Sequence, residues 1–328
     1  MKFKIDDRAC VRNQANPNRG RPLFAPVATP KALVRTELGL LVPSAADNTV
    51  ILLDRETLER LEVVQVGCEP TTLEECGAKI FVGCWRDQAL VMYDAGDAVP
   101  KVTRQLKFDC GITALAILDG KVLGALYTGG MFVLDPESPH WTEGADPPDW
   151  MKAVAITQMP AEPWMVVPDS PANRIYLPMG AGRGVAVVNS ATMELVQTLV
   201  VYDYPGAVFH GAAVSDENGQ VHAVFSAPED GEKACRIAVF NEDGNLIGEP
   251  REYDFDYGGR GQMLVDGHDN LFLACSASQE VVKIGPDGTI VDRLDTNGAA
   301  YGLCMLADDL LAVGVKEPSG AVFLINEL

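Results

Sequence analysis

One recurring pattern restricts the fold of this chain more than any other feature. A short apolar strand is followed by a polar turn, a strand ending in Asp or Asn, a second turn and a further strand. LGLLVPSAADNTVILLDRETLERLEVVQVG (38–67) contains it in full: the strand and polar turn LGLLVPSAADN, the strand TVILLD, the turn RETL, then ERLEVVQV. The order returns in KIFVGCWRDQALVMYDAGDAVPKVTRQLKF, KVLGALYTGGMFVLDPE, RIYLPMGAGRGVAVVNSATMELVQTLVV, QVHAVFSAPEDGEKACRIAVFNEDGNLIGEP, NLFLACSASQEVVKIGPDGTIVDRL and LLAVGVKEPSGAVFLINEL. Another apolar strand precedes each pair: ALVRTE, PTTLEE, ITALAIL, KAVAIT, GAAVSD, QMLVDG and YGLCML. Short apolar runs bounded by Gly, Pro, Asn and Asp are the mark of strands and turns. Their period lies in the range of roughly 40–50 residues per propeller blade.

A lone four-stranded blade cannot bury both faces, whereas a ring of blades can, and it also protects the edges. The sequence therefore predicts an all-β, single seven-bladed β-propeller. The last repeat ends after its third strand, and the alternating MKFKI at the N-terminus is expected to supply the fourth and latch the last blade. Residues 1–30 then form a closing strand plus a basic arm, Asp7–Pro30, without clear strand or helix pattern, and residues 31–328 form the propeller. The Asp residues ending third strands, Asp54, Asp94 and Asp135, suit turns that need a local acceptor. EDGN (Glu242–Asn245) and PDGT (Pro286–Thr289) read as tight turns. MGAGRG (Met179–Gly184) lies between two strands, so it reads as a hairpin connection and not a phosphate loop.

Two repeats carry a family resemblance. LGLLVPSAADNTVILLDRETLERLEVVQVGCEPTTL resembles the YVTN-type propeller repeat, with its D-N-T-V turn and strand, its Asp-x-x-Thr turn and its V-G-x-x-P exit. GQMLVDGHDNLFLACSASQEVVKIGPDGTI resembles an NHL repeat. The resemblance implies the fold and leaves function open, since related propellers include lactonases, quinoprotein-like folds, surface-layer proteins and interaction modules.

Charge narrows the partners. Lys and Arg number 26 and Asp and Glu 46, a formal net charge of −20, which disfavours nucleic acid and anionic membranes. No apolar run approaches the ~18 residues of a membrane helix, so no membrane insertion is expected. The N-terminus lacks the apolar core of a secretory signal. The expected location is the cytoplasm of the producing cell, with incorporation into a larger particle as a further setting. The eight cysteines show no C-x-x-C spacing and sit mostly in apolar runs; they read as buried, reduced structural thiols. No cofactor or metal motif occurs.

Chemistry, if present, must be assembled from distant residues at the mouth of the axial channel. Glu69, Lys152, His210, Arg260 and Tyr301 each adjoin the start of an expected innermost strand. Glu69, His210 and Arg260 together would suit a lactonase-like hydrolase, with base-activated water and a cation steadying the oxyanion; Lys152 and Tyr301 would bind ligand. The competing expectation is a non-catalytic module for protein binding or assembly, for instance in a virion or a surface lattice. Trp141, Trp150 and Trp164 fall in or beside two Pro-rich departures from the repeat: PESPHWTEGADPPDWM (136–151), which is expected to replace a fourth strand, and MPAEPWMVVPDSPAN (159–173), which is expected to lengthen the connection after the innermost strand; Trp85 lies elsewhere. These tryptophans, and Arg8, Arg12, Arg19 and Arg21 of the basic arm, are the candidate partner contacts.

Overall fold

The repeat becomes sheet because its apolar residues alternate and its turns supply the acceptors and positive-φ positions that reversals need. Asp54 Oδ1 accepts hydrogen bonds from the backbone N–H of Glu56 (2.9 Å) and Thr57 (2.7 Å); these donors, the Thr57 N–H above all, hold its carboxyl below the usual carboxylate range. Gly244 (φ 82°) and Gly288 (φ 75°) occupy the left-handed turn positions expected of EDGN and PDGT. Met179 N donates to Gly184 O, as a hairpin requires.

The computed structural model describes residues 3–5, 24–27, 30–67, 69–94, 102–138, 154–159, 162–180, 184–227, 235–259, 261–308, 310–316 and 320–327. These contain strands and no helix. Two short strands come first, β1 (Phe3–Ile5) and β2 (Phe24–Pro26). Blade one is β3 (Val34–Arg35), β4 (Leu40–Ser44), β5 (Thr49–Leu53) and β6 (Arg60–Gln65). Blade two is β7 (Pro70–Cys76), β8 (Lys79–Cys84), β9 (Ala89–Asp94) and β10 (Val102–Lys107). Blade three is β11 (Ile112–Leu118), β12 (Lys121–Leu126), β13 (Gly130–Leu134) and β14 (Val154–Gln158). Blade four is β15 (Val167–Asp169), β16 (Arg174–Pro178), β17 (Val185–Asn189) and β18 (Leu195–Leu199). Blade five is β19 (Val208–Val214), β20 (Val221–Ser226), β21 (Cys235–Phe240) and β22 (Arg251–Tyr253). Blade six is β23 (Met263–Val265), β24 (Leu271–Cys275), β25 (Glu280–Ile284) and β26 (Ile290–Asp295). Blade seven holds β27 (Ala300–Ala307), β28 (Leu310–Val315) and β29 (Ala321–Glu327). All pairings are antiparallel, in the up-and-down order of a seven-bladed β-propeller.

The chain divides into two compact units, Val66–Phe255 with blades two to five, and Met1–Gln65 with Asp256–Leu328 holding blades six, seven and one. In the first unit the cores lie between successive blades: Phe81, Leu90 and Met92 against Leu115, Phe132 and Leu134, and Tyr176 and Val187 against Phe209 and Phe225. In the second unit Phe272 and Val281 meet Leu303 and Val313, and Leu40 and Ile51 meet Val322 and Leu324. Burying each such side chain contributes about 1.5–3 kcal/mol.

N-terminal closure of the last blade takes an unexpected form. β1 pairs with the end of β29, Phe3↔Glu327 to Ile5↔Ile325. β2 pairs with its beginning, Phe24↔Phe323 to Pro26↔Ala321. The fourth strand is thus made of two pieces, and strand structure reaches into the stretch expected to be a bare arm. Pro26 is tolerated because β2 is an edge strand. A second difference concerns KAVAIT, expected as the innermost strand of a blade. It contributes β14, the outermost strand of blade three, and the innermost strand of blade four is β15, inside the supposed long connection. An apolar run records burial but not which edge of a blade it occupies. The 136–151 departure therefore lengthens the hairpin between β13 and β14 instead of replacing a fourth strand.

Candidate aromatic binding face

Four of the seven innermost strands share an irregularity near their start. The register slips by one residue at Pro70/Thr72, Ile112/Ala114, Phe209/Gly211 and Ala300/Gly302. The extra residue is Thr71, Thr113, His210 or Tyr301, so two of the residues expected at strand starts are bulge residues. A bulge re-aims its side chain away from the sheet's alternation. Thr71 Oγ1 donates to Ile112 O of the next blade (3.1 Å), and Thr113 Oγ1 to Pro163 O of the blade after (2.8 Å). His210 Nε2 lies 2.8 Å from Ser226 Oγ. The equivalence of these four positions is visible in the sequence only as a residue before an apolar run.

Glu69 precedes β7 with φ 55°. Its carbonyl accepts from Trp85 N at 2.9 Å, and its carboxylate is 3.8 Å from the exposed Arg86 guanidinium. Glu69 and His210 belong to one unit, three blades apart, and each finds a partner within its own blade. Tyr301 belongs to the other unit. Lys152, Arg260, Trp141, Trp150, Arg8, Arg12, Arg19 and Arg21 lie outside the described residues. The strand that follows Lys152, β14, is the outermost of its blade and not an innermost one.

What the first unit does bring together is aromatic. Trp85 and Tyr127 are the first residues after β8 and β12, and Trp164 leads into β15. Up-and-down order puts these connections at the same end of their blades. Trp85 meets Tyr127 edge-on with ring centroids 4.8 Å apart, and Tyr127 meets Trp164 at 6.2 Å. The sequence had set Trp85 apart from the other tryptophans; here it shares one row with Trp164. The row is fixed from below. A Cβ on Gly111 would come within 2.7 Å of the Trp85 ring, and one on Gly180 would overlap the Trp164 indole. Tyr127 N donates to Gly111 O (3.0 Å), Trp164 N to Pro178 O (3.0 Å) and Gly180 N to Glu162 O (2.8 Å). All three rings are half-buried, each leaving part of its surface to solvent. Asp87 and Glu162 lie two residues from Trp85 and Trp164, and Glu69 is tied to Trp85 through its carbonyl; Arg86 and Lys107, whose Nζ donates to Asp87 O at 2.9 Å, are cations beside them.

Among the described residues, Cys84, Cys110, Cys235 and Cys275 are buried and Cys76 and Cys304 partly buried. No group of side chains among the described residues has metal-holding geometry, and no helix there is long and apolar enough to cross a membrane.

The class defined by this architecture is that of seven-bladed β-propellers. No family model matches the sequence, and no curated protein does. The fold is similar to hydrazine synthase of Kuenenia stuttgartiensis, with a TM-score of 0.74, 12% identity, and 94% of this chain and 98% of that one covered. It is similar to a catalytically inactive virginiamycin B lyase from Staphylococcus aureus, solved with quinupristin (TM-score 0.70, 8% identity, 93% and 100% covered). It is also similar to BBS1N in complex with ARL6DN (TM-score 0.66, 12% identity, 93% and 94% covered). At these identities the likeness is one of fold alone.

Proposed function

We propose that this chain is a non-catalytic protein-binding and assembly module whose partner seats on the row Trp85–Tyr127–Trp164. The observation that carries the reading is the row itself: three half-exposed aromatic rings, in edge-on contact across three blades and held from below by glycines. Aromatic residues dominate interface energetics because they bury large area at small entropic cost. Pre-ordering lowers the cost of association further. One setting for such a module is a large assembly such as a virion or a surface lattice. That BBS1N was solved as a complex with another protein supports the use of this fold as a docking platform.

The test compares partners captured by the wild-type chain and by a Tyr127→Ala/Trp164→Ala variant whose melting temperature shows that it folds. Loss of a specific partner by tenfold or more is expected. Capture of the same partners at the same level overturns the reading.

A second reading, a hydrolase, draws on the contact between His210 Nε2 and Ser226 Oγ, which sets a possible general base beside a hydroxyl. His210→Ala separates the two: it abolishes any ester or lactone hydrolysis under the second reading and leaves partner capture unchanged under the first.

A further inference from the structure

The closing strand of blade seven is interrupted at a place where the sheet does not require it. β1 ends opposite Ile325 and β2 begins opposite Phe323. A single residue facing Leu324 would make Phe3–Ile5 and Phe24–Pro26 one continuous strand along β29. The chain instead places residues 6–23 there, DDRACVRNQANPNRGRPL. This insertion contains four arginines, no lysine and two aspartates.

We infer that residues 6–23 are a docking segment, and that their receptor is the Trp85–Tyr127–Trp164 row of a second copy of this chain. The inference rests on the binding reading above and names its partner. Three observations carry it. The first is the position of the insertion: it leaves from and returns to adjacent points on one strand edge, so the sheet can close without it. The second is composition. All its basic residues are arginine, whose planar guanidinium stacks on aromatic faces and is less strongly hydrated than an ammonium. The third is charge. The insertion carries a formal +2, and the rest of the chain holds 22 basic against 44 acidic residues. Glu69, whose carbonyl accepts from Trp85 N, and Asp87 and Glu162, two residues from Trp85 and Trp164, add acidic residues to the loops that carry the row. A second copy is the occupant because so acidic a body opposes close approach of like bodies, and a basic segment crossing from one to the other relieves that. Anchored at both ends, eighteen residues at ~3.3 Å each can reach out from the strand edge by about 30 Å.

The experiment uses two preparations. One is the full chain. The other has residues 6–23 replaced by a single threonine, which completes the strand and is expected to melt at or above the wild-type temperature. The probe is a synthetic peptide of residues 6–23 carrying Cys10→Ser, titrated into the threonine variant and followed by tryptophan fluorescence. Saturable binding is expected, weakened at least tenfold when the four arginines of the peptide are glutamine. The same loss is expected with Tyr127→Ala in the protein. Light scattering of the full chain should show concentration-dependent self-association that salt weakens and that the threonine variant lacks.

No saturable binding of the peptide up to about 1 mM, the weak end of specific association, overturns the inference. So does equal binding of the glutamine peptide. A full chain that stays monomeric while the peptide binds points to docking within one chain, and overturns the second-copy assignment. If the peptide fails but Tyr127→Ala/Trp164→Ala still loses another captured partner, the binding reading stands and this inference alone falls.

Discussion

Glu74 offers a sharp test of the packing between the innermost strands of blades two and three. On β7 it shares a face with Thr72 and Cys76, because alternate residues point the same way. Thr72 Oγ1 accepts from Leu115 N at 3.0 Å, and Cys76 Sγ donates to Gly120 O at 3.3 Å. Both partners belong to blade three, so Glu74 between them is turned toward β11. Among the described residues its carboxyl has no hydrogen-bond or ionic partner. Burial alone pushes its pKa up from 4.5 to about 8. The folded state therefore holds this proton across a pH range in which the unfolded chain has released it. The native state binds more protons, so stability falls as pH rises between about 4.5 and 8. The slope is roughly 1.4 kcal/mol per pH unit, which over that interval gives a ceiling of roughly 5 kcal/mol. Water touches part of the side chain, which reduces the realised figure below that ceiling. Glu74→Gln keeps the shape and removes the titration. Urea unfolding of both proteins should give a stability difference that shifts steadily in favour of the glutamine variant from pH 5 to pH 8 and is flat above pH 9. Parallel profiles for the two proteins would show that Glu74 is ionised and solvated in the folded state, and would refute this account of the interface.

The remaining expectations concern single features. Thr72→Val and Gln262→Leu each strip the acceptor from an N–H of the next innermost strand, Leu115 and Leu303 respectively; each should cost about 1–3 kcal/mol, and urea midpoints unchanged within error would show that these bonds are dispensable. Gly180→Ala forces the Trp164 indole off its seat, so a change in tryptophan emission and a loss of about 1–3 kcal/mol are expected; an unaltered spectrum would mean that the row is not held this way. Removing residues 1–5 bares the edge at Ile325–Glu327 but leaves Ala321–Phe323 covered by β2. Aggregation should therefore rise less than when Phe24–Pro26 are also disrupted, for example by Ala25→Pro, and light scattering on heating distinguishes the two.

Strands were legible wherever alternation and turn chemistry agreed, as in TVILLD with its Asp54 turn, or EVVKI with PDGT. Legibility failed where one physical signal serves two places. KAVAIT is as apolar as ITALAIL, yet the first is β14 at the outer edge of blade three and the second is β11 at the inner edge of the same blade. Hydrophobicity reports removal from water and carries no coordinate along the blade. LFAP at residues 23–26 was hidden for the opposite reason. Three pairs along β29 are enough to define a strand when the partner already exists, but three residues are too few to show a period.

The candidate site was harder to read because a propeller draws it from one or two residues per blade. Trp85, Tyr127 and Trp164 are separated by 42 and 37 positions in the chain, and no local motif links them. What links them is equivalence: Trp85 and Tyr127 both follow the last residue of a second strand, and Trp164 comes to the same end of its blade because the entry to a first strand lies there. Aligning the repeats by strand end, instead of searching for dense chemistry, would have placed Trp85 and Tyr127 in one column. The same alignment would have put Thr71, Thr113, His210 and Tyr301 in another. The second column also shows how one backbone feature takes different duties. In blades two and three the bulge residue is a threonine that ties its strand to the next blade; in blade five it is a histidine against a serine of its own blade. This makes His210 the more informative substitution for the hydrolase reading and Tyr127, at the centre of the aromatic row, the more informative one for binding.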